Sequence, residues 1–362
     1  MRTQLPVNLH EYEPLARQNM SAMAWDYLAG GSGDERTLAW NRERLDATRL
    51  WPHVLRDVSH VDTSLTLLGH ELPFPVLLAP TGFHRLFHPE GELATARGAG
   101  SVGALYTLST AATTSLEDIA AMASAPIWFQ MYVQRDRGFT LELLRRAERA
   151  GCSAIMFTVD TPVLGARDRD QRSGLELPPG IELANLRELR AREPDAPTFV
   201  HGSHNPFLDP SLTWDALSWL VGETKLPVIV KGVLRSDDAL MAIERGAAAI
   251  AVSNHGGRNL DTVPASIDAL PRVADAVNRR VPVLFDGGVR RGVDVVKALA
   301  RGASAVMLGR PYLWGLGTAG ADGVARVVRL LVNELEMAMA QCGVAKLSEI
   351  TSALLFEDDA RP

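Results

Sequence analysis

Eight short apolar runs, each followed by a stretch with helical character, constrain this chain more than any other feature. They begin near Phe74 (FPVLLAP), Leu105 (LYTLST), Ile127 (IWFQMYV), Ala154 (AIMFTVD), Pro227 (PVIVKG), Ala249 (AIAVSN), Pro282 (PVLFDGG) and Ala305 (AVMLGR). Each is too short for a buried helix and nearly continuous in apolar residues, which is how a strand covered on both faces reads. The intervening segments, such as Leu141 to Arg149 and Val293 to Leu299, carry helical periodicity instead. Strand–helix alternation predicts a parallel sheet, and eight units predict its closure into an α/β (β/α)8 TIM barrel. A chain of 362 residues holds one such barrel of roughly 250 residues with insertions to spare, and 46% hydrophobic residues can fill its core.

The repeat sets the domain organisation. We expect a single domain over 1–362: an N-terminal helical cap over 1–72, the barrel over 73–345, and a C-terminal tail over 346–362. The cap reads as a helix over EYEPLARQNM, a second from Ser21 to Ala29 and a third from Asp34 to Leu45. Residues 166–212, after the fourth strand, form a polar insertion with Glu193, Pro194, Asp195 and Pro197 close together, the composition of a lid or binding loop. Net charge of −6 argues against nucleic acid or an anionic membrane as partner. Cys152 and Cys342 form neither a disulfide framework nor a metal-ligand spacing, so no metal is expected. No apolar run approaches the roughly 18 residues of a membrane span. The first residues lack a signal-peptide pattern, and Asp359 to Pro362 match no peroxisomal or endoplasmic-reticulum address. The expected location is cytoplasmic.

Barrels of this kind place their chemistry where strands end. After the sixth run comes Ser253-Asn254-His255-Gly256-Gly257-Arg258-Asn259-Leu260-Asp261. A histidine able to take a proton stands three residues before an arginine able to fork onto a carboxylate, with two glycines to turn the backbone. That pattern suits gripping an acid and deprotonating the atom beside it. After the seventh and eighth runs come Asp286-Gly287-Gly288-Val289-Arg290 and Leu308-Gly309-Arg310. Glycine N–H groups and two arginines at those strand ends make the usual barrel phosphate site. Lys231, ending the fifth run, reads three ways from the residues alone: a Schiff-base amine, a snorkelling surface lysine or a fixed cation.

At these residues the sequence resembles the FMN-dependent 2-hydroxy-acid oxidase/dehydrogenase family, from about Glu11 to about Ile350. The nine-residue run from Ser253 is close to a fingerprint of that family, and Trp25-Asp26-Tyr27-Leu28-Ala29-Gly30-Gly31 is similar to its N-terminal motif. The resemblance implies FMN, held by Pro80, Thr81 and Gly82 behind the ring, and by Ser109, Gln130 and Thr158 along its polar edge. Lys231 then acts as a fixed cation at the pyrimidine edge, and Ser253, Asp286, Gly287, Gly288, Arg290, Gly309 and Arg310 complete the cofactor site. His255 is implied as the base, oriented by Asp160. Tyr132 faces the reacting hydroxyl, while Arg258, Tyr27 and Arg167 hold the substrate carboxylate. The implied reaction is oxidation of an (S)-2-hydroxy acid to the 2-oxo acid, with flavin N5 taking the electron pair and O2 or another carrier as final acceptor. The family commonly forms tetramers, so a homotetramer is expected.

Three positions depart from the family pattern. Gly82 stands where many oxidases carry alanine, which leaves O2, a quinone or another carrier open as acceptor. Ala111 stands where glycolate oxidase-like sequences carry a bulky aromatic, so a substrate larger than glycolate, lactate- or mandelate-like, fits the extra volume. Asn259 replaces the more usual glutamine, a conservative change. Two other readings compete: a phosphate-binding barrel lyase or isomerase using Lys231 as a Schiff-base amine, and a flavin-binding protein without turnover. Bound flavin separates the first of these from the leading reading; bleaching by substrate separates the second.

Overall fold

A computed structural model describes residues 5–192 and 208–356. All eight apolar runs form strands: β1 (Val76–Leu78), β2 (Tyr106–Ser109), β3 (Ile127–Met131), β4 (Ala154–Thr158), β5 (Val228–Val233), β6 (Ala249–Val252), β7 (Val283–Phe285) and β8 (Ala305–Leu308). They pair in parallel around a closed barrel, with Val306 of β8 opposite Val76 of β1 completing the ring.

Side-chain alternation sorts these strands into two cores. Leu77, Trp128, Met156, Ile229, Ala251, Leu284 and Met307 form one buried cluster inside the barrel. Their neighbours along the strands, among them Val76, Phe129, Ile155, Val230, Ile250 and Phe285, join the cluster shared with the surrounding helices. With both faces apolar, no strand could afford a polar alternation, which is why each run was legible. Burying a large side chain such as Trp128 or Phe285 completely is worth about 1.5–3 kcal/mol, so the strand bodies are the fixed frame for what lies at their ends.

The cap contains α1 (Leu9–Asn19), α2 (Ala22–Ala29) and α3 (Arg36–Ala47). Ser21 caps α2, accepting a hydrogen bond from the Ala24 amide at 3.2 Å. The region 1–72 is not helical throughout. Leu65–Leu67 pairs antiparallel with His70–Leu72, and Leu67 and Leu72 join the interior cluster, plugging the barrel at the end where the strands begin. The insertion after β4 carries short helices at Asp168–Arg172 and Arg187–Arg192. Its segment with Glu193, Pro194, Asp195 and Pro197 lies outside the described residues, as do Asp359 to Pro362. The last barrel helix, Arg310–Cys342, is broken at Ala319 and Gly320, and beyond it the Phe356 amide donates to the Arg49 carbonyl, just past α3 in the cap.

Candidate active site

Because all eight strands are parallel, their C-terminal ends converge on one rim, and one cavity opens there. It is lined by residues from every strand end together with Tyr27 of α2. On one side Gln130 is fixed by three bonds: its Nε2 donates to Thr158 Oγ1 at 3.0 Å, and its Oε1 accepts from Ser109 Oγ at 3.2 Å and the Thr110 amide at 3.3 Å. Next to it Lys231, 4% exposed, donates to Ser253 Oγ at 2.9 Å and lies 3.4 Å from Asp286 Oδ2. Ser253 Oγ donates in turn to Asp286 Oδ1 at 2.7 Å. These contacts hold the buried Lys231 side chain in place beside a carboxylate, an arrangement consistent with a fixed cation and unlike that of a free amine.

His255 sits at the start of a left-handed run: φ is +57° at His255, +64° at Gly256 and +73° at Gly257. Two glycines bear most of that geometry without steric cost, while histidine in this region is strained by of order 1–3 kcal/mol. The strain is held by the surroundings. The His255 amide donates to Ser253 Oγ at 3.0 Å, and Asn254 exchanges two amide bonds with Asn41 of α3, at 2.9 and 2.8 Å. The result aims His255 Nδ1 at Asp160 Oδ1, 3.0 Å away. With Nδ1 as the donor in that bond, Nε2 is the free base. Burial pushes the imidazole below its ordinary range, partly offset by Asp160, so it is neutral near pH 7. Burial alone would raise the Asp160 carboxyl, yet His255, Lys231 and Thr161 together hold it below the usual range. Tyr132 is half-buried, and desolvation with the nearby Asp160 charge pushes its phenol up, so it remains a protonated donor.

Four arginines surround the rest of the cavity. Arg258 lies 4.7 Å from the centre of the Tyr27 ring and donates to the Tyr27 and Gly30 carbonyls at 2.6 and 2.9 Å. Arg167 donates through Nε to the Arg258 carbonyl at 3.0 Å; its nearest carboxylate is Asp170, at 3.8 Å. Arg310 donates to the Leu28, Gly256 and Gly30 carbonyls at 2.9, 3.1 and 2.8 Å. Arg290 lies over the Trp314 ring at 4.7 Å. Among the described residues no carboxylate lies within ion-pair distance of Arg258, Arg290 or Arg310. Burial, followed by repulsion from a neighbouring arginine, pushes Arg167 and Arg290 down to about 10 and Arg310 well below its ordinary range. Half-buried guanidinium groups with no close carboxylate among the described residues suit an anion.

Those residues fit FMN chemically. The Arg290 and Arg310 end, with Gly287, Gly288 and Gly309 on the wall, suits a phosphate; the Gln130–Thr158–Lys231 side suits the polar edge of a flavin; Pro80, Thr81 and Gly82 form a wall of backbone behind it. Arg258, Tyr27, Arg167, Tyr132 and His255 also line the cavity, grouping two arginines and two phenols beside the imidazole.

Two sequence-predicted residues do not reach the cavity wall. Asp160 stands behind His255, and Ser253 stands behind Lys231, where it is fully buried. Others were missed. Asn259, read as a conservative change, donates to the Asp160 carbonyl at 2.9 Å and to Thr161 Oγ1 at 2.8 Å, tying the arginine loop to the carboxylate. Gly232 has φ of +105°, and a Cβ there would lie 2.5 Å from Asp160 Cβ and Cγ, so only glycine admits the carboxylate. His84, wholly buried, shares bonds with Thr81 Oγ1 (2.7 Å) and Thr95 Oγ1 (3.0 Å) beneath the wall. Gly82 and Ala111, read separately in the sequence, face each other: a Cβ on Gly82 would meet Ala111 Cβ at 3.0 Å.

Known proteins are similar to this chain over nearly its whole length. L-lactate oxidase of Nostoc sp. is 49% identical over 359 residues, covering 97% of this chain and 98% of that one. Glycolate oxidase of Spinacia oleracea is 43% identical over 357 residues, with 97% and 96% covered. Among solved structures, a mandelate oxidase with benzoyl-formic acid superposes with a TM-score of 0.88 at 41% identity, covering 97% of this chain and 98% of its own. With the barrel, the paired His255 and Asp160 and the anion-seeking rim in place, and with residues 16–357 matching it, the chain belongs to the FMN-dependent dehydrogenase family.

Proposed function

We propose that His255, Asp160, Tyr132, Arg258, Tyr27 and Arg167 carry out the substrate half of an FMN-dependent oxidation of (S)-2-hydroxy acids to 2-oxo acids. The oxidation itself, and FMN as cofactor, follow from the family and from relatives that are lactate, glycolate and mandelate oxidases. The observation carrying the residue assignment is the 3.0 Å contact of His255 with Asp160 behind it, with His255 lining the same cavity as Arg258, which has no carboxylate within ion-pair distance among the described residues. When bound, FMN supplies the two-electron acceptor. Arg258 would grip the substrate carboxylate in a fork, supported by Arg167 and by the protonated phenol of Tyr27, so the acid is oriented before chemistry begins. His255 Nε2 would take the proton, and the Asp160 carboxylate would stabilise the imidazolium so formed. Tyr132 would donate to the substrate oxygen. Lys231, Gln130 and Thr158 would hold the flavin's polar edge, and Arg290 and Arg310 its phosphate.

Relatives named as oxidases favour O2 as the final acceptor, and Ala111 favours a side chain larger than that of glycolate. Among the described residues no helix is long and apolar enough to cross a membrane. A cytoplasmic homotetramer is the assembly and address this reading adopts. The Schiff-base alternative is disfavoured because Lys231 is engaged by Ser253 and Asp286. The test is anaerobic reduction of the purified protein's flavin by glycolate, (S)-lactate and (S)-mandelate. Bleaching by one of them, reoxidised on admitting air, supports the reading; a flavin that no 2-hydroxy acid bleaches overturns it.

A further inference from the structure

The three side chains proposed to hold the substrate carboxylate come from segments far apart in sequence. Tyr27 belongs to α2, Arg167 to the insertion after β4 and Arg258 to the loop after β6. Arg167 donates through Nε to the Arg258 carbonyl at 3.0 Å, although the two guanidinium groups repel each other. Contacts outside the cavity must therefore hold the insertion against that loop.

The turn from Gly30 to Glu35, between α2 and α3, supplies them. Before Arg167, the Ala166 carbonyl accepts from the Gly33 amide at 2.8 Å and from Ser32 Oγ at 3.2 Å. After it, Arg169 Nη2 donates to Glu35 Oε2 in an ion pair. The same turn reaches the other clamp: the Ser32 amide donates to the Gly257 carbonyl at 2.8 Å, and the Gly30 carbonyl accepts from Arg258 at 2.9 Å. Glu35 also braces the turn, its Oε1 accepting from the Gly31 amide at 2.9 Å. Its own backbone is left-handed, with φ of +60°, a conformation that a residue with a side chain keeps only where contacts hold it. Neither Glu35 nor Arg169 lines the cavity.

We infer that Glu35 and Arg169 are positioning residues for substrate capture: their ion pair fastens the insertion to the cap, so that Arg167 stands beside Arg258. This rests on the proposal that both arginines hold the substrate carboxylate, and it adds what keeps two like charges together. The Arg169 side chain is 40% exposed and that of Glu35 23%, and a pair this open contributes modestly. The Gly33 bond to Ala166 is made by backbone alone, so the insertion remains attached when the pair is lost.

The experiment compares the wild-type holoenzyme with Glu35→Gln, Arg169→Met and the double variant. Glutamine keeps an acceptor for the Gly31 amide, and methionine keeps an apolar stem where Arg169 packs on Gly30, so each change removes the ion pair and little else. Anaerobic stopped-flow reduction, with whichever of glycolate, (S)-lactate and (S)-mandelate reduces the flavin fastest, gives the half-saturating concentration and the limiting rate. The half-saturating concentration should rise about three- to fivefold in each single variant, and the double variant should be no worse than the weaker single one. The limiting rate and the flavin content should stay within about twofold of wild type, because His255 and the cofactor residues are untouched. Three results overturn the assignment: half-saturation unchanged in either single variant; effects that multiply in the double variant; or limiting rate and flavin content falling together, the mark of general damage. Each single variant is decisive without the other. Wild-type flavin that no 2-hydroxy acid reduces removes the underlying reading instead.

Discussion

Replacing Asp160 with asparagine removes one charge from the pair and little volume. The His255 Nδ1 to Asp160 Oδ1 distance is 3.0 Å, which puts the charge centres about 4 Å apart once the imidazole is protonated. At an effective dielectric constant of about 20, that attraction is worth about 4 kcal/mol. It exists only after the proton has been taken, so its loss falls on the barrier and lowers the rate of flavin reduction by about 10²–10³-fold. The pH profile should move as well. Burial already depresses the imidazole's proton affinity and Asp160 opposes it, so removing the carboxylate depresses it further. The acid limb of the reduction rate, set by a neutral His255, should therefore shift to lower pH in Asp160→Asn. Anaerobic stopped-flow reduction of the flavin from pH 4.5 to 9, on the pH scale that brackets an ordinary histidine at about 6.5, reads both effects. A rate within tenfold of wild type, or an acid limb displaced to higher pH, would refute the reasoning.

Gly232→Ala should mimic part of that loss at a distance, because its Cβ would fall 2.5 Å from Asp160; a reduction rate equal to wild type would show that the carboxylate can move aside freely. Arg258→Lys keeps the charge but loses the fork and the contact with Tyr27, so KM should rise by at least about tenfold while flavin content is unchanged, as steady-state kinetics and absorbance would show. Ala111→Phe should lower kcat/KM for (S)-mandelate by about tenfold relative to (S)-lactate, and glycolate as the best substrate of the wild type would contradict the reading of Ala111.

The barrel was legible because its strands, buried on both faces, read as nearly continuous apolar runs whose polar residues gather toward their C-terminal ends, and no polar run of similar length competes with them. The strand ends were legible because glycine, arginine and histidine have few reasons to follow such a run together. What escaped notice depends on partners distant in sequence. Leu65–Leu67 and His70–Leu72 are short, and their apolar residues serve a plug rather than a strand-wide face, so they merged with the helical cap. Gly232 is required by Asp160 and Asn259 by Thr161, and neither dependence leaves a local pattern.

The arginines at the rim link this protein's existence to a vitamin. Four guanidinium groups, Arg167, Arg258, Arg290 and Arg310, repel one another in a sheltered space where carbonyls are their main partners. A phosphate held there, as proposed for Arg290 and Arg310, would relieve that repulsion in the folded state alone, and a ligand at 100 times its Kd adds about 2.7 kcal/mol to a fold. The folded fraction, and with it resistance to proteolysis, then follows the supply of flavin: a cell short of riboflavin would hold fewer copies of this enzyme as well as less active ones.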